Sequence, residues 1–466
     1  MAIFIYNSLT KKKEEFAPIA GPRVNIYTCG VTVYDESHIG HARSLYIFDL
    51  IRRYLKYRGY KVNFVRNITD IDDKIIKRAN ELKTGWKELV AKYINSYYED
   101  LKLLGIEKGD SEPRATENIP DMVEYIRKLI EKGYAYESAG DVYFSVRKFS
   151  SYGQLSGQSI DQMQKGVRIE PNEAKRDPLD FALWKSSKEG EPSWPSPWGE
   201  GRPGWHIECS VMSQKFLKTE TLDIHAGGRD LVFPHHENET AQAESATGKP
   251  FAKYWIHHGL LTINAQKMAK SLGNFITIKD FGARYKDMDL LKLFFLSAHY
   301  SHPVDYTDEK IEEAKQALAR IAILSGKLDG MRVGAGSPGR GENKEVSDIR
   351  NEFIASMDDD FNTPQALACC FELVNLANKN IENREFALQA GDALRELLDI
   401  LGLGVRAAAR SDSGIDKDVE AKIAARNNAR AARDFALADK IRKELDQMGV
   451  ILEDTKDGKT TWRRKL

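Results

Sequence analysis

Residues 23 to 69 read "RVNIYTCGVTVYDESHIGHARSLYIFDLIRRYLKYRGYKVNFVRNIT", and this stretch decides the fold. It opens with "RVNIYTCG", a β-rich run that ends in Gly30. The segment "HARSLYIFDLIRRYLKYRGY" then puts Ile47, Ile51, Tyr54 and Leu55 at helical spacing and closes near Gly59. "KVNFVRNIT" is a second strand, and "DDKIIKRANE" opens a second helix. Strand, helix, strand, helix begins a right-handed βαβ unit, so the spacing predicts an α/β fold built on a Rossmann-type, doubly wound parallel sheet. Ligands of such sheets lie beyond the carboxyl ends of the strands.

The chain of 466 residues is too long for one ordinary core. Residues 1–118 are expected to form the first half of the sheet domain and 119–199 an insertion, with the hairpin-like "GYAYESAGDVYFSV" and the loop "EPSWPSPWGEGRPG". Residues 200–245 return to the sheet, 246–308 carry a polar loop region, 309–405 read as an α-helical region, and 406–466 as a small C-terminal domain. "GMRVGAGSPGRGENKEV" within the helical region reads as a mobile loop, and "GVRAAARSDSGID" as a linker. Lys+Arg and Asp+Glu each number 69, so no global basic field points to a polyanion, and any nucleic-acid contact must come from a local patch. At the start, "MAIFIYNSLTKKKEEF" places its apolar run before its charges, the reverse of a secretory signal, and no run of 18 apolar residues follows. Cys29, Cys209, Cys369 and Cys370 are too few and too scattered for a disulfide framework, so a reducing, cytoplasmic setting is expected with no membrane partner.

Three short motifs carry chemistry. "HIGHARS", residues 38–44, starts the first helix, with His38 and His41 on one face of its first turn. Free N–H groups and the dipole at that terminus attract phosphate, and Gly40 lets a ligand approach the backbone. By itself such a pair also reads as a cap and a surface residue. "KMAKSLGNF", residues 267–275, follows the β-like "YWIHHGLLTI" and can fold Lys267 and Lys270 over a triphosphate. By itself it also reads as a solvated lysine loop. "PHHENE", residues 234–239, offers His235 or His236 together with Glu239 to a metal, and spacing does not choose between the two histidines.

HIGH and KMAKS, in this order, resemble the two signatures of class I aminoacyl-tRNA synthetases. The blocks "YTCGVTVYDESHIGHARS", "VRNITDIDDKIIKRA", "GWHIECS" and "DIHAGGRDLVFPHHENE" are similar to the cysteinyl-tRNA synthetase family, and the likeness extends to the closing "TTWRRKL". Ala269 departs from the middle Ser of the KMSKS pattern. The resemblance implies ATP-dependent activation of L-cysteine and its transfer to tRNA(Cys). It implies one Zn²⁺ per chain held by Cys29, Cys209, His235 and Glu239, with Mg²⁺ accompanying ATP. Two thiolates and a carboxylate would leave that site formally at −1, a poor activator of water but a good acceptor for a substrate thiolate, which serine cannot offer.

In the same reading, catalysis is positioning and stabilisation of phosphoryl charge by His38, His41, Lys267 and Lys270. ATP is contacted by His38, Gly40, His41, Asp230 and Lys270, and cysteine by Gly30, Thr69, Trp205 and His225. His257 and His258 are expected to be scaffold. Residues 246–308 become the KMSKS-loop and stem-contact region, and 406–466 the anticodon-binding domain. Residues 417–466 hold 13 Lys+Arg against 9 Asp+Glu. Arg426, Arg430 and Arg433 follow helical spacing on one face, and Trp462, Arg463 and Arg464 pair an aromatic with guanidinium groups, so these six are the expected tRNA contacts. No apolar stripe is left over, which favours a monomer. Two other classes compete: a cysteine ligase of the mycothiol-pathway type, against which residues 309–466 argue, and a zinc-stabilised RNA-binding protein without catalysis.

Overall fold

The computed structural model of the chain describes residues 2–160, 163, 175–269, 272–332, 343–404, 414–454 and 460–464. At its centre is a four-stranded sheet with every strand parallel. Lys61–Arg66 lies at one edge, followed by Arg23–Thr28, Leu222–Gly228 and Ala252–His258. Leu222–Gly228 is buried at every residue, as expected for a parallel strand covered on both faces. The helix Ile39–Tyr57 connects the first two strands, and its Ile47, Ile51, Tyr54 and Leu55 are all buried. It ends before Gly59, whose φ of 87° is the left-handed turn that the sequence places there.

Between the two halves of the sheet, Ala135–Ser138 and Asp141–Phe144 form an antiparallel hairpin. Phe181–Ser186 and Gly201–Pro203 extend it to four strands. Phe144, Trp184, Ile126 and Met212 share one buried cluster, so this sheet packs on Ile119–Glu131 and on Trp205–Leu217. Three helices, Lys344–Asp358, Thr363–Lys379 and Arg384–Ile400, pack together farther along, and Cys369 and Cys370 are buried on the middle one without a disulfide. The glycine-rich stretch 333–342 and the linker stretch 405–413 lie outside the described residues.

The chain divides into two compact units, Met1–Ala314 with Pro338–Gly404, and Lys315–Ser337 with Val405–Leu466. The second contains helices Gly414–Ala431 and Phe435–Gln447 and the hairpin of Val450–Asp454 with Thr460–Arg464. Its core is small: Val419, Ile423, Ile441, Leu445 and Val450. Among the described residues no helix is long and apolar enough to cross a membrane.

One buried cation locks the first helix to segments on both sides of the lysine loop. The fully buried Arg43 donates from Nη1 to the carbonyls of Gly259 (2.8 Å) and Leu260 (2.9 Å), and from Nη2 to those of Tyr300 (3.2 Å) and His302 (2.6 Å). Burial with only carbonyl partners pulls its pKa down to about 10. Each charge-assisted bond of this kind contributes about 1.5–3 kcal/mol. Arg43→Met is therefore expected to lower the thermal transition of the first unit by on the order of 10 °C. Calorimetry checks this, and a shift below about 2 °C would show that the four carbonyls find other partners.

Candidate active site and metal cluster

Three segments that are distant in sequence meet at the carboxyl ends of the central strands. Cys29 follows the strand Arg23–Thr28, Cys209 lies on the helix Trp205–Leu217, His235 lies in the turn Val232–His236, and Glu239 in the first turn of Glu237–Thr247. A ligand atom from each lies within 4.8 Å of the other three. Glu239 has no exposure, and its Oε1 is 2.8 Å from His235 Nε2 and 3.4 Å from Cys29 Sγ. His235 Nε2 is also 3.6 Å from Cys209 Sγ.

A second set, Cys29, His225, His236 and Glu239, meets the same distance limit. In it His225 Nε2 is 2.7 Å from Glu239 Oε2, and His236 Nε2 is 3.3 Å from Cys29 Sγ. The ambiguity between His235 and His236 in the sequence is therefore physical, because both imidazoles face the Cys29–Glu239 pair.

Protonation follows burial and pairing. Burial opposes the charge on Glu239, but His225 and His235 outweigh it and hold the carboxyl well below the usual range. Burial likewise opposes the His235 imidazolium, yet the Glu239 charge raises it to about 10. Burial, the Cys209 sulfur and Glu239 push the Cys29 thiol well up. Burial and its histidine neighbours keep His236 neutral. The cluster thus holds an anion balanced by a proton on its neighbour, and a soft dication suits that set of two sulfurs, an imidazole and a carboxylate.

The residues assigned to the amino-acid pocket gather around this cluster. Trp205 stacks on His235 with ring centroids 3.9 Å apart, and His225 reaches the site through Glu239. Thr69 Oγ1 donates to Glu208 (2.8 Å), and Gly30 N–H donates to Asn67 Oδ1 (2.8 Å). A Cβ at Gly30 would sit 1.5 Å from the Asn67 carbonyl oxygen, so only glycine fits there. His257 Nε2 is 2.8 Å from His236 Nδ1 and so continues the histidine chain; His258 Nδ1 bonds the Gly259 carbonyl (2.9 Å). Asn67, His206, whose Nδ1 is 2.8 Å from His235 Nδ1, and Glu208 were not singled out in the sequence, because a polar residue after a strand or beside a cysteine has no periodic signature.

HIGH and the lysine loop are neighbours. His38 bridges to Thr277, Ile39 N–H donates to the Ile276 carbonyl (3.1 Å), and the Phe275 ring meets His38 edge-on. A cavity of about 280 Å³ opens here, lined by residues 31–38, His41, Tyr93, Tyr97, Met268, Ala269 and Phe275. Asp230 is exposed, and its charge reaches His38. Lys267 is exposed on a two-residue strand, and its carbonyl accepts from Asn274 (3.2 Å). Lys270 and Ser271 lie outside the described residues.

One expectation for this terminus is corrected. The first-turn N–H groups are not free: Gly40 and His41 donate to His38 Nδ1 (3.1 and 3.3 Å), Ala42 to the His38 carbonyl (3.1 Å), and Ile39 to Ile276. At Gly40 a Cβ would meet the His38 ring at 2.9 Å, so that ring occupies the place of a side chain there. His38 N–H in turn donates to His41 Nδ1 (3.2 Å). Each ring therefore keeps Nε2–H as its remaining donor, and the two rings stack at 3.8 Å. Burial lowers His38 to about 4 and His41 to about 3.

The tRNA residues also divide. Arg426 is 4% exposed, with Nη1 3.3 Å from Thr460 Oγ1, so it packs inside the second unit instead of facing out. Arg430 is exposed, and Arg433 lies beyond the helix end at Ala431 with φ 60°, so the three do not share one helical face. Trp462, Arg463 and Arg464 lie on the strand Thr460–Arg464, and their side chains lie outside the described part of the chain.

A four-stranded parallel sheet that brings the HIGH segment against the lysine loop at its carboxyl edge defines the class I synthetase fold. Methionyl-tRNA synthetase of Mycobacterium tuberculosis bound by methionyl-adenylate shares it, with a TM-score of 0.63 at 15% identity over 81% of this chain and 92% of that one. A putative arginyl-tRNA synthetase from Campylobacter jejuni gives a TM-score of 0.56 at 15% identity over 82% and 94%. Within this class, "tRNA synthetases class I (C) catalytic domain" matches residues 15–316, "DALR domain" 352–406 and "Cysteinyl-tRNA ligase anticodon binding domain" 412–463. The cysteine–tRNA ligase of Geobacillus thermodenitrificans is 51% identical over 99% of both chains, and that of Persephonella marina 49% identical over the whole of both. The chain belongs to the cysteine–tRNA ligase family.

The neutral HIGH histidines give a test. Folded-state pKa values below the free value of about 6.5 mean that the unfolded chain takes up protons first as pH falls, so the ATP-free protein loses stability from about pH 6.5 toward 4. Histidine NMR should show neither His38 nor His41 titrating above pH 5, and a midpoint near 6.5 for either would refute the buried-cap geometry.

Proposed function

We propose that this chain is a cysteine–tRNA ligase, which activates L-cysteine with ATP and transfers it to tRNA(Cys). The observation that carries this reading is the buried Cys29, Cys209, His235 and Glu239 cluster beside the joined HIGH and lysine-loop segments. The four residues are taken as ligands of one zinc ion. The Cys209 set is preferred to the His225 set because two sulfurs suit zinc, and because His225 and His236 each have a second role in holding Glu239 and Cys29. Bound there, zinc supplies a soft Lewis acid that takes the substrate thiolate and so discriminates against serine.

The remaining chemistry belongs to the chain's own groups. Gly30, Thr69 and Trp205 frame the amino acid over the cluster, and His225 steadies Glu239. His38 and His41 donate from Nε2 to phosphate oxygens as neutral groups, which binds ATP without a proton to lose. Asp230 faces the adenosine. Lys267 and Lys270, with Mg²⁺, meet the charge that moves onto pyrophosphate. The cysteine carboxylate is already an anion, so the reaction needs orientation and charge stabilisation rather than a general base. In the C-terminal unit, Arg430, Arg433, Trp462, Arg463 and Arg464 contact tRNA, while Arg426 is a core residue of that unit.

Cysteine-dependent exchange of labelled pyrophosphate into ATP, with charging of tRNA(Cys), tests the whole reading. A zinc-stabilised RNA-binding protein would show neither. Metal analysis should find one zinc per chain. Cys209→Ser should lose that zinc and reduce cysteine-dependent exchange by at least about 10²-fold, the discrimination a simple pocket fails to supply; full activity without stoichiometric zinc would remove the metal from the mechanism. Arg430→Glu with Arg433→Glu should raise the KM for tRNA and flatten its salt dependence, with pyrophosphate exchange within about two-fold of the parent. Unchanged charging in that double variant would take these two arginines out of the tRNA surface.

A further inference from the structure

Lys74 belongs to neither signature and to none of the ligand sets, yet it stands between them. It lies in the first turn of the helix Asp73–Leu82, whose N-cap Asp72 accepts from its backbone N–H (2.9 Å). Its side chain is exposed and, among the described residues, has no carboxylate within 4.0 Å. The neighbouring Asp73 is engaged elsewhere, by Lys185 (2.6 Å) and Arg202 (2.9 Å). Lys74 Nζ is 5.7 Å from the ring centre of Tyr34, which lines the same cavity as His38 and His41. It is 5.9 Å from the ring centre of Trp205, which stacks on His235 of the metal cluster. Its charge is near enough to add to the depression of His41 that burial begins. Two aromatic faces therefore hold one ammonium group at the junction of the thiol-binding and phosphate-binding ends.

We propose that Lys74 is a catalytic residue of the adenylation step, contacting the cysteine carboxylate and the α-phosphate of ATP as they come together. The proposal rests on the ligase reading above. With the substrate sulfur at the metal that Cys29, Cys209, His235 and Glu239 would hold, and the triphosphate at His38 and His41, the two reacting groups would meet in the space between. Both are anions, and their approach needs a cation there. A carboxylate oxygen gives an electron pair to form the new O–Pα bond. The bond from Pα to the oxygen bridging to Pβ breaks, and its electron pair leaves with pyrophosphate. Lys74 keeps its three protons throughout, and nothing is oxidised or reduced. The ammonium first screens the repulsion and then balances charge on the equatorial oxygens of the phosphorus.

The test uses the full-length protein with its metal. Lys74→Met removes the charge and keeps the stem, Lys74→Arg keeps the charge, and Lys74→Gln repeats the first change should the methionine variant not accumulate folded. The expected result is a kcat for cysteine-dependent pyrophosphate exchange about 10²-fold lower in Lys74→Met, as for loss of one preorganised donor, and within about ten-fold of the parent in Lys74→Arg. The KM for cysteine and the zinc content should stay near those of the parent. Exchange within three-fold of the parent in Lys74→Met overturns the proposal. So does a loss confined to the KM for ATP, or one confined to transfer onto tRNA with adenylation intact. Absence of exchange in the parent protein itself would instead overturn the ligase reading.

Discussion

The organising constraint is a single carboxylate that water does not reach. Glu239 has no exposure, and leaving its charge uncompensated in the interior would cost several kcal/mol. Its compensation draws in His225 from a sheet strand, His235 from the preceding turn and Cys29 from the end of another strand. Cys209 joins through His235. Removing any of these leaves a buried charge with an open side. The position of the candidate metal set is thus fixed by the same electrostatics that lets the sheet edge pack.

A second economy operates at the start of the first helix. In most helices a Ser, Thr, Asp or Asn satisfies the first N–H groups. Here His38 does so through Nδ1, while His41 Nδ1 returns the bond to the His38 backbone. One atom of each ring is thereby committed to the helix, and the other is left with a hydrogen to donate. The cap fixes tautomer, orientation and neutrality together. Gly40 is required because the His38 ring occupies the place of its side chain. A motif that reads in sequence as two phosphate ligands and a gap is, in three dimensions, a cap that leaves one ring nitrogen of each histidine to donate.

The legible parts of the sequence were those with a period or a block. Ile47, Ile51, Tyr54 and Leu55 announced the first helix because a 3.6-residue repeat is a statement about one buried face, and all four are buried. The family likeness brought Cys29, Cys209, His235 and Glu239 to attention, and the fold gathers them. What was not legible depended on packing across long separations. His235 and His236 differ by one position and both face the cluster, so only their second partners distinguish them. Arg426 and Arg430 are four apart, yet one is buried near Thr460 and the other exposed, since that helix has so few apolar residues that an arginine stem completes its inner face. Lys74 lies within a block that carries the family likeness but was given no role there, and its position became visible only once Tyr34 and Trp205 were placed.

Neutral histidines at the phosphate end have a consequence for how charge is supplied across the reaction. ATP and the cysteine carboxylate bring several negative charges to one edge of the sheet, while His38 and His41 bring none near pH 7. Donation without charge suits the ground state, where a permanent cation would hold ATP and departing pyrophosphate equally firmly and so accelerate nothing. Charge that matters in the transition state must come from groups able to follow it. In the proposed mechanism lysines take that part, with a compact ammonium on a four-carbon stem: Lys74 at the junction with the amino acid, and Lys267 in the segment joined to His38. On that proposal neutral donors would serve binding and lysine cations the barrier, and burial of the two imidazoles is what keeps the donors neutral.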